Sequence, residues 1–113
     1  MPMINAQIST KLLPEQKQTL VKEFGKAITV MNKSESHLMI NIEDEQNLFF
    51  AGNILEKGAY IEIKVLGDVN PVLSEKMTEQ VCKILEKNLG INPASVYVSY
   101  FGTHNWGHNG SNF

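Results

Sequence analysis

The chain has 113 residues, of which 42% are hydrophobic and 19% charged, and this composition predicts one compact globular domain spanning residues 1–113. Ten basic residues stand against twelve acidic ones, for a net charge of −2, and no basic run could neutralise a row of phosphates. We therefore expect no nucleic-acid partner. Cys82 is the only cysteine, which excludes an internal disulfide and a multi-cysteine zinc site.

The sequence also bears on membranes and on self-association. No stretch is apolar enough over the length of a transmembrane span, and the N-terminus lacks the charged region and apolar run of a secretory signal. We expect no membrane insertion and a cytoplasmic location, with secretion without a signal peptide left open. A domain this small buries a limited part of its surface, so association of copies is a natural way to complete its hydrophobic burial.

The first half of the chain predicts a strand, a helix and a second strand. Pro2 to Ile8 alternates between apolar and other residues, which is typical of a strand. From Pro14 to Met31 apolar residues recur at helical spacing, and a proline in the first turn is typical of a helix start. Leu38 to Ile42 is a second apolar strand. The acidic run that follows, residues 43–45, lacks the alternating ligands and glycine of a calcium loop and indicates a solvated strand end.

The second half repeats this order after a loop predicted at Asn53 to Gly58. Tyr60 to Leu66 alternates strictly and is the clearest strand of the sequence. Asn70 and Pro71 supply a cap and a first turn for a helix that Gly90 ends. Val96 to Phe101 predicts a further strand. The tail has too little periodicity to predict more than a short strand near Trp106.

The order of strand, proline-started helix and strand thus occurs twice, which indicates an internal duplication. Pro14 is matched by Pro71, and Leu38 by Val96. Two β-α-β units with right-handed crossovers predict an α+β fold, a four-stranded mixed sheet with both helices on one face. The other sheet face then needs a cover. We expect apolar positions there, and they favour other copies of the same sheet as the cover.

Four landmarks of the sequence resemble the macrophage migration inhibitory factor family of the tautomerase superfamily. They are Met1-Pro2-Met3, Asn32-Lys33 at the end of the first helix, Ile91-Asn92-Pro93-Ala94-Ser95-Val96-Tyr97, and the tail from Trp106 to Phe113. The resemblance covers the whole chain, with one extra residue near the loop at 53–58. It implies a homotrimer with active sites at the subunit interfaces, which interconverts the keto and enol forms of aromatic 2-oxo acids of the phenylpyruvate and dopachrome type. It implies no cofactor.

Animal members of this family are also secreted signalling proteins. A cell-surface receptor is therefore the alternative partner that the resemblance implies, with the tautomerase activity then vestigial. Other reactions of tautomerase relatives, such as dehalogenation and decarboxylation, rely on added arginines, and all ten basic residues of this chain are lysines.

The catalytic residue that the resemblance implies is Pro2, freed by loss of Met1. An N-terminal proline is a secondary amine, and an α-amino group titrates near pH ~8. Burial and a neighbouring cation such as Lys33 lower that pKa, which leaves free base at neutral pH. Such a base can remove a proton next to a carbonyl and return it, provided that the enolate is stabilised.

The resemblance also assigns substrate-binding residues. Lys33 falls on the position that binds the substrate carboxylate, Leu66 on the position that donates a backbone N–H, and Tyr97 on a pocket tyrosine that comes from a neighbouring subunit. From the residues alone, Lys33 is better explained as a solvated surface lysine, and Leu66 as a core residue at a strand end. Tyr97 could simply fill a strand face, but we favour its role in the pocket.

Several positions depart from the animal protein. Ser99 stands where it has asparagine, Trp106 where it has a small aliphatic residue of the pocket wall, and His37 where it has a tyrosine of the pocket rim. We include Ser99 and Trp106 among the substrate-binding residues. Residues 58–61 replace the animal CxxC motif, so we expect no thiol–disulfide exchange there.

Histidines raise the question of a metal site. His104 and His108 are four residues apart, but that spacing brings ligands together on a helix, and this stretch contains glycines. We therefore expect a hydrogen-bonding tail and no bound metal.

Overall fold

A computed structural model describes residues 1–113. It contains two α-helices, a four-stranded sheet and two short hairpins. In chain order the elements are β1 (Pro2–Ile8), α1 (Pro14–Ala27), β2 (Met39–Glu43), β3 (Phe49–Phe50), β4 (Asn53–Ile54), β5 (Ala59–Leu66), α2 (Pro71–Leu89), β6 (Val96–Thr103), β7 (Gly107–His108) and β8 (Ser111–Asn112).

The main sheet has the strand order β2-β1-β5-β6. Each outer strand is parallel to its inner neighbour, and the two inner strands, β1 and β5, are antiparallel. Each half of the chain is therefore one β-α-β unit, and the two units join through β1 and β5. This topology confirms the α+β fold and the mixed four-stranded sheet that the repeated sequence pattern predicts.

The ends of the two helices follow from local residues. In α1 the backbone N–H of Leu13 donates to Gln16 Oε1 at 2.7 Å, and a 3₁₀ turn over Ile28–Met31 follows the α-helix. The predicted helix end at Met31 is thus the end of that turn, four residues beyond Ala27. In α2 the side chain of Asn70 accepts from two backbone N–H groups, and Gly90 takes the left-handed conformation that ends the helix. Neither helix has the length and apolar character needed to cross a membrane.

One face of the main sheet packs against both helices, and we call it the helix face. The hydrophobic core lies there, and no polar or charged residue is buried in it. Its largest fully buried side chains are Phe24, Ile4, Ile8, Leu20, Ile28, Ile61, Ile63, Met77, Leu85, Ile91, Val65 and Val81. The alternation of β1 and β5 places every second residue in this core.

The opposite face, which we call the open face, carries no helix. Its cross-strand neighbours are mostly polar, as in the row of Asn41, Asn5 and Glu62. Asn41 Nδ2 donates to Asn5 Oδ1 at 2.8 Å. The expected apolar positions are present among these neighbours, since Met39, Tyr97 and Phe101 are exposed on this face. Strict alternation puts apolar residues on the helix face and leaves a mixture of polar and apolar neighbours on the other.

Two hairpins go beyond the sequence-based prediction. β3 and β4 pair across Ala51 and Gly52, so the predicted loop at 53–58 begins with a strand. β7 and β8 pair across Asn109 and Gly110. All four turn residues have positive φ, between 51° and 85°, the conformation that two-residue hairpin turns require.

Tyr100 and Cys82 lie between β6 and α2. The hydroxyl groups of Tyr100 and Thr78 are 2.7 Å apart and share a hydrogen bond. Burial raises the pKa of Tyr100. Burial, together with the nearby carboxylate of Glu86, also raises the pKa of the Cys82 thiol. Both groups therefore stay protonated over a wider pH range than they would in water.

Candidate active site

A pocket of about 400 Å³ opens where β1 begins. Met1 and Pro2 form part of its wall, and Trp106 closes another part. The other lining residues are Met3, His37, Met39, Lys64, Asn105, Gly107 and His108. The pocket is thus built from the adjoining ends of β1, β2 and β5 and from the segment that leads into β7.

Pro2 is held firmly because β1 is an inner strand. It lies opposite Val65 of β5 and is buried. Its predecessor Met1 continues the pairing, since the backbone N–H of Leu66 donates to the Met1 carbonyl at 3.0 Å. Burial, and next the charge of Lys33, lower the pKa of the Met1 amino group. The start of the chain is therefore a place where an amine loses its proton more easily than in water.

Lys33 and Leu66 come together beside Met1. Lys33 follows Asn32, which ends the 3₁₀ turn in the left-handed conformation with φ 57°. The half-buried Lys33 donates from Nζ to the backbone carbonyl of Leu66 at 3.1 Å, and it forms no ion pair with a carboxylate. One ammonium group and one backbone N–H thus lie around Met1, both of the kind that binds a carboxylate.

Trp106 is positioned by the C-terminal hairpin. Its backbone carbonyl accepts from the N–H of Phe113 at 3.0 Å, which joins the last residue to the segment before β7. The rings of Phe113 and His108 stack at 6.3 Å between centroids. This packing orders the pocket wall formed by Trp106 and His108.

Tyr97 and Ser99 lie away from this pocket. In the sheet, Tyr97 is opposite Tyr60, which is opposite Gln7, five residues along β1 from Pro2. That spacing corresponds to about 17 Å. Tyr97 is 63% exposed, and its ring packs against that of Phe50 at 5.6 Å between centroids.

Ser99 is close to Tyr60 instead, with their hydroxyl oxygens 2.8 Å apart. Of the residues predicted to bind substrate, the chain brings Lys33, Leu66 and Trp106 to the start of β1. It does not bring Tyr97 or Ser99 there.

Sequence reasoning missed three polar residues of the pocket, Lys64, Asn105 and His108. For Lys64 a signal was available: strict alternation places it on the same face as Leu66, two residues further along β5. Asn105 and His108 belong to a segment without periodicity, so their approach to Pro2 depends on tertiary packing.

The chain brings together no group of three or more histidine, cysteine, aspartate or glutamate side chains that could hold a metal ion. His104 lies 3.0 Å from Asp68, at an exposed position, while His108 lines the pocket. His104 and His108 therefore contact different parts of the chain.

Together, the duplicated β-α-β fold and the pocket at Pro2 define a class of small β-α-β repeat proteins with a pocket at the start of the first strand. The model of the macrophage migration inhibitory factor (MIF) family matches residues 1–113, and the chain belongs to this family. A comparison with curated protein sequences gives no significant match.

Solved structures agree with the family match. The crystal structure of Leishmania major MIF2 is 26% identical, with a TM-score of 0.93, over 100% of this chain and 97% of that one. The MIF-like protein of Entamoeba histolytica is 26% identical, with a TM-score of 0.88, over 99% and 98%. The homologue from Prochlorococcus marinus is 28% identical, with a TM-score of 0.84, over 98% of each chain. These similarities support a function of the MIF type at the level of the family.

Proposed function

We propose that this chain is a keto–enol tautomerase of aromatic 2-oxo acids, of the phenylpyruvate and dopachrome type, with Pro2 as its general base after Met1 is removed. One observation carries the proposal. The Met1 carbonyl accepts the N–H of Leu66, and the Met1 amino group lies within electrostatic range of Lys33. Removal of Met1 would free this N–H and expose the ammonium next to a new secondary amine.

The proposed reaction needs only these groups. The Pro2 nitrogen takes a proton from C3 of the 2-oxo acid, and the C–H electron pair becomes the C2–C3 double bond. The carbonyl π electrons move onto the oxygen, the protonated Pro2 amine returns a proton to that oxygen, directly or through water, to give the enol and the free amine, and every step is reversible. Burial and the charge of Lys33 lower the pKa of the amine at Met1, and the same surroundings would act on the Pro2 amine.

The substrate carboxylate would bind between Lys33 Nζ and the Leu66 N–H, as charge-assisted hydrogen bonds favour. The aromatic ring would lie against Trp106, which already lines the pocket beside Pro2.

A homotrimer follows from the same proposal. Tyr97, proposed to reach the pocket, is offset from Pro2 by about 17 Å along the strand direction and by two strands across the sheet of its own chain, so it would come from a neighbouring copy, and Ser99 of that strand with it. The exposure of Met39 and Phe101 on the open face supports contact with other copies. Sedimentation equilibrium should give about three times 12.7 kDa. A monomer at micromolar concentration would contradict both the trimer and a shared pocket.

Removal of Met1 is the direct test of the proposed base. An amide nitrogen has its lone pair delocalised into the carbonyl, so Pro2 preceded by Met1 cannot accept a proton. Protein that begins at Pro2 should catalyse phenylpyruvate tautomerisation about 10²–10⁴-fold faster than homogeneous protein that retains Met1, each verified by intact mass. The rate should depend on a basic group that titrates below the ordinary α-amino pKa.

A Pro2→Gly variant of the processed protein is the matched control, because it keeps a free amine and should keep part of the rate. Full activity from protein that retains Met1 would refute Pro2 as the base. The receptor-binding role that the family resemblance implies stays a separate prediction.

A further inference from the structure

We infer that the pocket at Pro2 prefers short 2-oxo acids that carry a second carboxylate, because its wall contains Lys64 in addition to the nearby Lys33 beside Met1. The inference rests on the proposed tautomerase function and specifies its substrate class. It starts from the lining residues: Lys64 is the one lysine among them, and none of them is an aspartate or glutamate.

Lys64 lines the pocket and has no carboxylate partner within its own chain. It is exposed on the open face of β5, with Met3 beside it on β1 and Phe101 on β6. It takes part in none of the ion pairs of the chain, and Nζ lies 6.0 Å from the centroid of the Phe101 ring. An ammonium group without a carboxylate partner, in the wall of a pocket, can bind an anion without first giving up an ion pair.

The backbone spacing along β5 is comparable to the length of a small diacid. Lys64 and Leu66 are two residues apart on one face of β5, which corresponds to about 7 Å along the strand. Lys33 Nζ is held at the Leu66 carbonyl. One carboxylate at Lys33 and the Leu66 N–H would therefore leave the far end of a short diacid within reach of the flexible Lys64 side chain.

The rest of the wall agrees with this assignment. His37, Asn105 and His108 line the pocket and can each donate a hydrogen bond to an anion. Glu62 is the acidic residue two positions before Lys64 on the same face of β5. It lies in the neighbouring row of the sheet, beside Asn5 and Ser99, and does not line the pocket. The second carboxylate would thus meet hydrogen-bond donors and one uncompensated charge.

A matched pair of substrates tests the inference. 2-Oxoglutarate and 2-oxopentanoate have the same carbon chain and differ in their last group, a carboxylate or a methyl. Removal of the C3 proton by Pro2, exchange of that proton with deuterated solvent and return of a deuteron replace hydrogen by deuterium at C3. Proton NMR in deuterated water follows this exchange for both acids, and for phenylpyruvate as the reference substrate.

The processed protein should exchange 2-oxoglutarate with a kcat/KM about tenfold higher than 2-oxopentanoate, as one hydrogen bond to a charged group allows. Lys64→Met should remove this preference, and Lys64→Gln should reduce it. The matched control is Lys83→Met, which removes one exposed lysine from α2 and should leave the preference intact. Added salt should weaken the preference of the wild type.

The outcomes separate the two proposals. Exchange of phenylpyruvate without a preference for the diacid would overturn the inference and leave the tautomerase proposal standing. A Lys64→Met variant that slows both acids equally would overturn the role assigned to Lys64. No exchange with any of the three acids would overturn the proposed function itself.

Discussion

The helix face and the open face of the main sheet consist of the same strands, yet they differ in composition. Ile63 is fully buried on the helix face, whereas its neighbours Glu62 and Lys64 point to the open face and keep contact with solvent. On the helix face, apolar burial supplies the stability of the fold. On the open face most side chains are polar, and the polar Lys64 lines the pocket together with Met3 and Met39. Strand alternation thus separates the residues that stabilise the fold from residues that can bind a ligand.

The largest effect should come from the helix face. Ile63→Ala should lower the free energy of unfolding by about 2–5 kcal/mol, because it removes apolar atoms and leaves a cavity in a packed core. Glu62→Ala, one residue away on the open face, should change it by about 0.5 kcal/mol or less. Urea unfolding followed by circular dichroism measures both. Equal losses in the two variants would mean that the open face stabilises the fold as much as the core does.

A smaller effect is expected at the pocket, and it should concern binding more than stability. Lys33→Ala should weaken phenylpyruvate binding by about 1.5–3 kcal/mol, the range for a lost hydrogen bond to a charged group, with little change in unfolding. Lys22→Ala, which removes an exposed lysine from α1, is the control. Unchanged kinetics for Lys33→Ala would make Lys33 a surface residue that holds the Leu66 carbonyl and nothing else.

The smallest effect compares two tyrosine hydroxyls on opposite faces. Tyr100 shares a hydrogen bond with Thr78 on the helix face, and Tyr60 shares one with Ser99 on the open face. Tyr100→Phe should cost about 1 kcal/mol of unfolding free energy, and Tyr60→Phe about half of that, since water replaces the lost bond more easily there. Equal losses of unfolding free energy in the two variants would show that water reaches the two hydroxyl groups to the same extent.

The pH dependence of the free energy of unfolding gives a further test of the Tyr100 hydroxyl. Burial raises the pKa of Tyr100, so the folded state holds its proton more tightly than the unfolded state. The stabilisation from this group is complete below the unfolded pKa of about 10 and is lost as the pH rises through the folded pKa. Wild-type stability should therefore fall more steeply above pH ~10 than that of Tyr100→Phe. Parallel curves for the two proteins would contradict this assignment.

The sequence predicted the helix face in detail and the open face only in outline, for a physical reason. Regular alternation, the Asn70 cap and Gly90 are local signals, and they located the long strands and the helix ends. The same alternation leaves polar and apolar side chains mixed on the open face, and the sequence predicted the apolar positions there without their polar neighbours. The hairpin at Asn109-Gly110 also had a local signal, because Asn-Gly is a favoured two-residue turn.

The positions of the candidate site residues, in contrast, could not be predicted from local sequence patterns. Lys33, Leu66 and Trp106 were named through the family resemblance, and the fold brings them to the start of β1 although they are far apart in sequence. Tyr97 and Ser99 belong to a distant part of the same sheet. No local pattern fixes such separations, because they depend on strand order and register. Those are tertiary properties.

The single thiol of the chain offers a way to observe local opening. Cys82 is half-buried beneath β6, and its raised pKa leaves little thiolate at neutral pH. A thiol reagent should therefore react slowly with the native chain and fast with any conformation in which α2 separates from the sheet. The labelling rate of Cys82 then reports the free energy of that separation, without any added probe and with no other cysteine to interfere.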